Sequence, residues 1–103
     1  MIVTVEPAAR TVGLTEVDDF QAFHVQAPPD ADLSTVDSVL REKGVGTVED
    51  EYVWVRGSAL EALAAAAGAA AGWRDGYQAM VDYARQKGWW RPDGTIRAHV
   101  ERA

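Results

Sequence analysis

A chain of 103 residues has room for one domain and one hydrophobic core, and none for a separate substrate domain. The composition is 48% hydrophobic and 25% charged with no cysteine, which excludes a disulfide framework, a thiolate nucleophile and a cysteine-based zinc site. The net charge of −6 argues against non-specific attraction to nucleic acid or an anionic membrane, and no run approaches the ~18 apolar residues that span a bilayer.

The charge is uneven. Residues 1–51 carry eleven acids against three bases, a balance of −8, whereas residues 52–103 carry five acids against seven bases, a balance of +2. Such halves can attract each other within one chain or head-to-tail between chains. The opening stretch MIVTVEPAAR lacks the basic-then-apolar layout of a signal peptide, so a soluble cytoplasmic protein is expected. The absence of asparagine, the two isoleucines and lysines and the excess of alanine match the codon bias of a high-GC bacterial genome.

In chain order, Ile2–Val5 reads as a short strand stopped by Pro7. Ala8–Asp19 fits no single period and is open to a second strand or an irregular crossing. Phe20–Ala27 alternates, with Phe23, Val25 and Ala27 on one face and Phe20, Ala22, His24 and Gln26 on the other, and Pro28-Pro29 ends it. Asp32 or Ser34 can cap a helix whose stripe is Leu33, Val36, Val39 and Leu40, and Gly44 supplies its exit. Val45–Val48 leads through Glu49-Asp50-Glu51 into Tyr52–Val55, a run of aromatic and β-branched residues typical of a strand.

Ser58-Ala59-Leu60-Glu61 has the form of a capping box opening an alanine-rich helix, with Leu60, Leu63, Ala64 and Ala67 facing inward and Gly72 as its expected stop. A second helix follows with the stripe Trp73, Tyr77, Met80, Val81 and Ala84, closed by Gly88. Arg91-Pro92-Asp93-Gly94-Thr95 is a turn, leading to a last strand in which Ile96, Ala98 and Val100 point in and Arg97, His99 and Glu101 point out. The expectation is a single α+β domain over residues 1–103: a mostly antiparallel sheet of about four strands covered on one face by about three helices, with a ferredoxin-like arrangement the nearest architecture by element order.

No serine sits in a nucleophile elbow, no calcium loop is present, and no metal or cofactor motif is visible, so neither is expected. His24 and His99 are the only histidines. Both fall on predicted strands, and if those strands are neighbours the rings can share a face with Glu51 or Glu101 as an acid–base or metal site. Tyr52 and Trp54 share a strand face, and Trp89-Trp90 followed by Arg91 has the composition of an interface anchor or of a stacking site for an anionic or aromatic ligand. The outline of a winged helix-turn-helix is also discernible, with Arg74, Gln78 and Arg85 on the second helix, but Asp75 and Asp82 on that helix oppose phosphate.

Three functions follow in order of preference. The first is association, with itself or another protein, through Trp89, Trp90 and Arg91. The second is a small-molecule binder or isomerase-type enzyme with a pocket between sheet and helices, using His24, Tyr52 and Trp54. The third is DNA binding.

Overall fold

Alternating strands and helical stripes that end at glycines assemble into nine elements. The computed structural model describes Met1–Ala103. Its order is β1 (Ile2–Glu6), β2 (Thr11–Thr15), β3 (His24–Ala27), α1 (Leu33–Glu42), β4 (Gly46–Glu49), β5 (Tyr52–Arg56), α2 (Gly57–Ala66), α3 (Trp73–Lys87) and β6 (Thr95–Arg102). No helix is long and apolar enough to cross a membrane.

The strands form one six-stranded sheet in the order β2-β1-β3-β6-β5-β4. The single α+β domain with three helices is as expected, but the sheet has six strands rather than four, its order is not ferredoxin-like, and it is mixed, with three of its five pairings antiparallel. The outer pairings are antiparallel: β1 with β2 on one side, and β4 and β6 on either edge of β5 on the other. The centre is parallel, since β3 runs alongside both β1 and β6 in the same direction. The cause is topological. Each terminal hairpin consumes one edge of its inner strand, so β3, which is reached by long connections on both sides, fills the gap between β1 and β6.

Strand alternation then sorts the two faces. Val3, Val5, Val25, Ala27, Val53, Val55, Ile96 and Ala98 are buried, and they join Val36, Val39 and Leu40 of α1, Leu60 and Ala64 of α2, and Trp73, Tyr77 and Ala84 of α3 in one core. The opposite row on the inner strands is Tyr52 and Trp54 facing His99 and Arg97 across the β5–β6 pairing. This row carries most of the side chains of functional interest.

Three local expectations are corrected. Phe20–Ala27 is a strand only from His24 onward; Phe20–Phe23 is a turn in which the Asp19 carboxylate accepts from the Gln21 N–H. The turn places the Phe20 ring on α3, and that packing outweighs the alternation. Ser58 does not cap α2: the helix leaves β5 directly at Gly57, without a side-chain cap, and the Gly57 N–H donates to the Gly94 carbonyl at 3.0 Å. With the helix already begun at Gly57, Ser58 lies inside its first turn rather than at the cap position, and the Gly94 carbonyl satisfies the first free N–H. The stop of α2 is Gly68 rather than Gly72, leaving Ala67 exposed. Gly68 has φ +79, and the Gly68 and Ala69 N–H groups return to the Ala65 and Ala64 carbonyls in a Schellman motif.

Where the sequence left alternatives open, the structure chooses. Ala8–Asp19 contains β2, paired along β1. Asp32 caps α1, accepting from the Thr35 N–H at 2.8 Å. The acidic trio forms the tight β4–β5 turn, with Asp50 in left-handed backbone.

Candidate functional site

The carboxy-terminal end of α3 is built to deliver an aromatic side chain to the edge of β6. Gly88 takes φ +78, a conformation that strains residues with a Cβ, and the Trp89 N–H turns back to the Ala84 carbonyl at 2.8 Å. The Trp89 carbonyl then accepts from the Arg97 N–H at 2.8 Å, and Trp90 bridges Ile96. Further along the same edge, β3 takes over the pairing from Val100. A cleft of about 760 Å³ opens where these two partners of β6 part.

One wall of the cleft is Phe20 and Phe23 from the turn before β3, and the other is Met80, Tyr83 and Trp89. Ile96 and Ala98 also line it, from β6. Gly76 explains how α3 and the turn meet. A Cβ there would lie 2.3 Å from the Phe20 ring, so only a glycine in mid-helix lets the ring lie against the helix backbone. Phe20 in turn packs on Trp73 with centroids 6.0 Å apart, and the Trp73 indole N–H donates to the Val17 carbonyl at 2.9 Å. This chain of contacts fixes the Phe20 wall.

Tyr52, Arg97 and His99 complete the lining with polar and cationic groups. The Arg97 guanidinium lies over the Tyr52 ring at 4.3 Å and 5.7 Å from the Trp89 centroid. No carboxylate lies within ion-pair distance of it. A cation held between two aromatic faces, over an apolar cleft and without a counter-charge, is arranged to meet an anion.

The histidines meet as well. Because β3 and β6 are neighbours, the His24 and His99 rings stack with centroids 5.4 Å apart, and Glu101 reaches both: 3.2 Å to His24 Nε2 and 3.1 Å to His99 Nε2. Glu101, not Glu51, is the shared carboxylate. The hydrogen bond from His99 first, and the attraction of His24 in its protonated form second, lower the Glu101 carboxyl from its ordinary 4.5. His24 is the anchored member, its side chain only 12% exposed against 55% for His99.

The remaining residues singled out from sequence are dispersed. Tyr52 and Trp89 line the cleft, whereas Trp54 and His24 do not. Arg91 makes a two-pronged pair with Glu49, at 2.7 and 3.1 Å, and lies 3.6 Å over the Trp54 ring. Trp90 is half-buried, with the Arg85 guanidinium 4.6 Å above its ring. Sequence reasoning missed Phe20, Gly76, Met80 and Tyr83 as site residues, and it placed Arg97 only as an outward strand residue. The glycine inside the α3 stripe was the one available signal. Compared with known proteins, the chain matches no family model, no curated protein and no solved structure.

Proposed function

We propose that the protein binds a small amphipathic anion, a molecule with an aromatic or alkyl body and one acidic group, in the cleft between α3 and β6. The body lies between Phe20 and Phe23 on one side and Met80, Tyr83 and Trp89 on the other, and the acidic group meets Arg97. The observation that carries this reading is Arg97: a guanidinium stacked between Tyr52 and Trp89 and lacking a carboxylate partner, on the lining of a largely apolar cleft. The cleft volume of about 760 Å³ lies within the ~300–1,000 Å³ usual for small-molecule sites.

The other two functions have weaker support in the geometry. Association through Trp89, Trp90 and Arg91 competes with contacts those side chains already make inside the molecule, to Arg97, Arg85 and Glu49 respectively. DNA docking in winged-helix fashion needs an outlying hairpin, and β6 is instead a central strand of the sheet.

A matched pair of fluorescent probes tests the proposal: 8-anilinonaphthalene-1-sulfonate and its uncharged counterpart N-phenyl-1-naphthylamine. The sulfonate is expected to bind once per chain, quench tryptophan emission through Trp89 and leave the near-ultraviolet circular dichroism intact. The neutral probe should bind at least about 10-fold more weakly, the difference expected for one charge-assisted hydrogen bond. Equal affinity for the two probes, or no saturable binding of either, overturns the proposal.

A further inference from the structure

The histidine pair beside the cleft has a feature that neither the fold nor anion binding explains. His24 Nδ1 lies 2.9 Å from the Ala22 carbonyl oxygen. A carbonyl can only accept, so Nδ1 carries the hydrogen, and in the neutral ring Nε2 is then a bare lone pair. That lone pair faces Glu101 Oε2 at 3.2 Å. An ionised carboxylate also only accepts, and Glu101, half exposed to solvent, offers one oxygen to each histidine. Two acceptors therefore point at each other, and the contact is stable only with a cation between them.

We propose that His24 Nε2, His99 Nε2 and the Glu101 carboxylate form a site for a borderline divalent transition-metal ion of the zinc class. Each residue offers one ligand atom, and these atoms all lie within 4.8 Å of one another. A backbone carbonyl on the far nitrogen is the outer partner that fixes the tautomer and ring orientation of metal-binding histidines. Two imidazoles and one carboxylate suit zinc, nickel or cobalt(II) rather than magnesium or calcium, which take all-oxygen sets.

The burial pattern suits capture. His24 is anchored at the start of β3, with its side chain 12% exposed, while the side chains of Glu101 and His99 are 52% and 55% exposed. Ligand atoms around a tetrahedral ion lie ~3.4 Å apart; Glu101 Oε2 already stands 3.2 Å from His24 Nε2, so the exposed His99 is the side chain that closes in. Loading takes His99 as the tautomer that leaves Nε2 bare: the hydrogen that now bridges to Glu101 passes through solvent to Nδ1, with no net proton lost from the neutral ring. Three protein ligands leave a fourth position for water or a ligand atom, and His99 also lines the cleft.

This proposal stands independently of anion binding in the cleft. The competing occupant is a single proton, which makes His24 an imidazolium paired with Glu101. Calorimetric titration of the full chain with zinc chloride at pH 7.5 separates the two. One ion per chain is expected, with affinity reduced at least about 10-fold by Glu101→Gln and by His99→Gln. Both substituted positions are exposed on β6, so neither variant depends on the core to fold, whereas His24→Gln is judged only after its melting curve matches the parent. Imidazole nitrogen spectra should show His24 and His99 Nε2 shifting together on zinc addition, with the His24 Nδ1–H retained. No binding, binding that both β6 variants retain undiminished, or a His24 doubly protonated at that pH and indifferent to zinc overturns the proposal.

Discussion

Two arginines lie over aromatic rings on neighbouring parts of this sheet, and their surroundings differ in one respect. Arg91 covers Trp54 at 3.6 Å and has its charge neutralised by both oxygens of Glu49. Arg97, cross-strand neighbour of Trp54, covers Tyr52 at 4.3 Å and has no acidic partner. The first arrangement is complete in itself: it ties the segment before β6 to the end of β4 across 42 residues of sequence. The second leaves a positive charge beside an apolar cleft. The same residue type on the same kind of aromatic face is thus structural where its charge is neutralised and available for recognition where it is not.

Exchanging the two roles by substitution gives the largest contrast. Arg97→Gln keeps the stem and much of the packing over Tyr52 but removes the charge. It should lower affinity for 8-anilinonaphthalene-1-sulfonate by about 10- to 100-fold, the range for losing a hydrogen bond to a charged group, with little change in melting temperature. Arg91→Gln should do the reverse, lowering the melting temperature and leaving the affinity within about two-fold, since Arg91 does not line the cleft. Equal effects of the two substitutions on probe binding would erase the distinction between the sites.

The next effect concerns how the cleft wall is held. In Gly76→Ala the new methyl group meets the Phe20 ring, whose nearest atom is 2.3 Å from the Cβ position. Alanine favours the helix by up to ~1 kcal/mol over glycine, but the ring must leave its place, and overpacking of this kind costs about 1–3 kcal/mol. A net loss of stability is expected in urea unfolding, with weakened probe binding as the Phe20 wall moves. Gly72→Ala is the control, because nothing lies within 4 Å of a Cβ there and its φ of −86 suits any residue. It should be neutral or slightly stabilising. Pairing Gly76→Ala with Phe20→Ala should show coupling in a double-mutant cycle, and strict additivity would mean the contact does not matter.

Those two sites also mark how far the sequence could be read. Helical stripes and the glycine exits of α1 and α3 were legible because they depend on spacing within one segment: α1 appears with Asp32, one of its two candidate caps, and Gly44, and α3 with Gly88. The last strand was legible too, including the outward row of Arg97, His99 and Glu101. What could not be read was set by partners remote in the chain. Phe20 looks like a strand residue until Gly76, far along the chain, offers it a place to pack. Ser58 looks like a cap until the Gly94 carbonyl, remote in the chain, binds the Gly57 N–H and the helix begins one residue earlier. The histidines could be linked only conditionally, since their meeting depends on β3 running parallel beside β6, and strand order is not a property of either segment alone. Arg97 could not be singled out, because its distinction is the absence of a carboxylate that every nearby element had to fail to provide.

The smallest effect lies in acid, where the two arginines again part. The hydrogen bond from Arg91, reinforced by its charge, lowers the Glu49 carboxyl below its ordinary 4.5, with Arg41 adding to the pull and Asp93 opposing it. Glu42 is lowered in the same way by Arg10. A carboxylate whose folded value is depressed stabilises the fold fully above the unfolded value, and that contribution disappears as pH falls through the folded value. Stability should therefore begin to decline as pH drops below about 4.5, and more gently in high salt, since both pairs are exposed. Arg91→Gln should remove the part of this acid limb due to Glu49, so the difference between variant and parent shrinks as pH falls and Glu49 becomes neutral in both. Arg97→Gln has no carboxylate to release, and its melting temperature should run parallel to the parent throughout the same range. A narrowing gap for Arg97→Gln would reveal an acidic partner for that guanidinium and close the site that its free charge now defines.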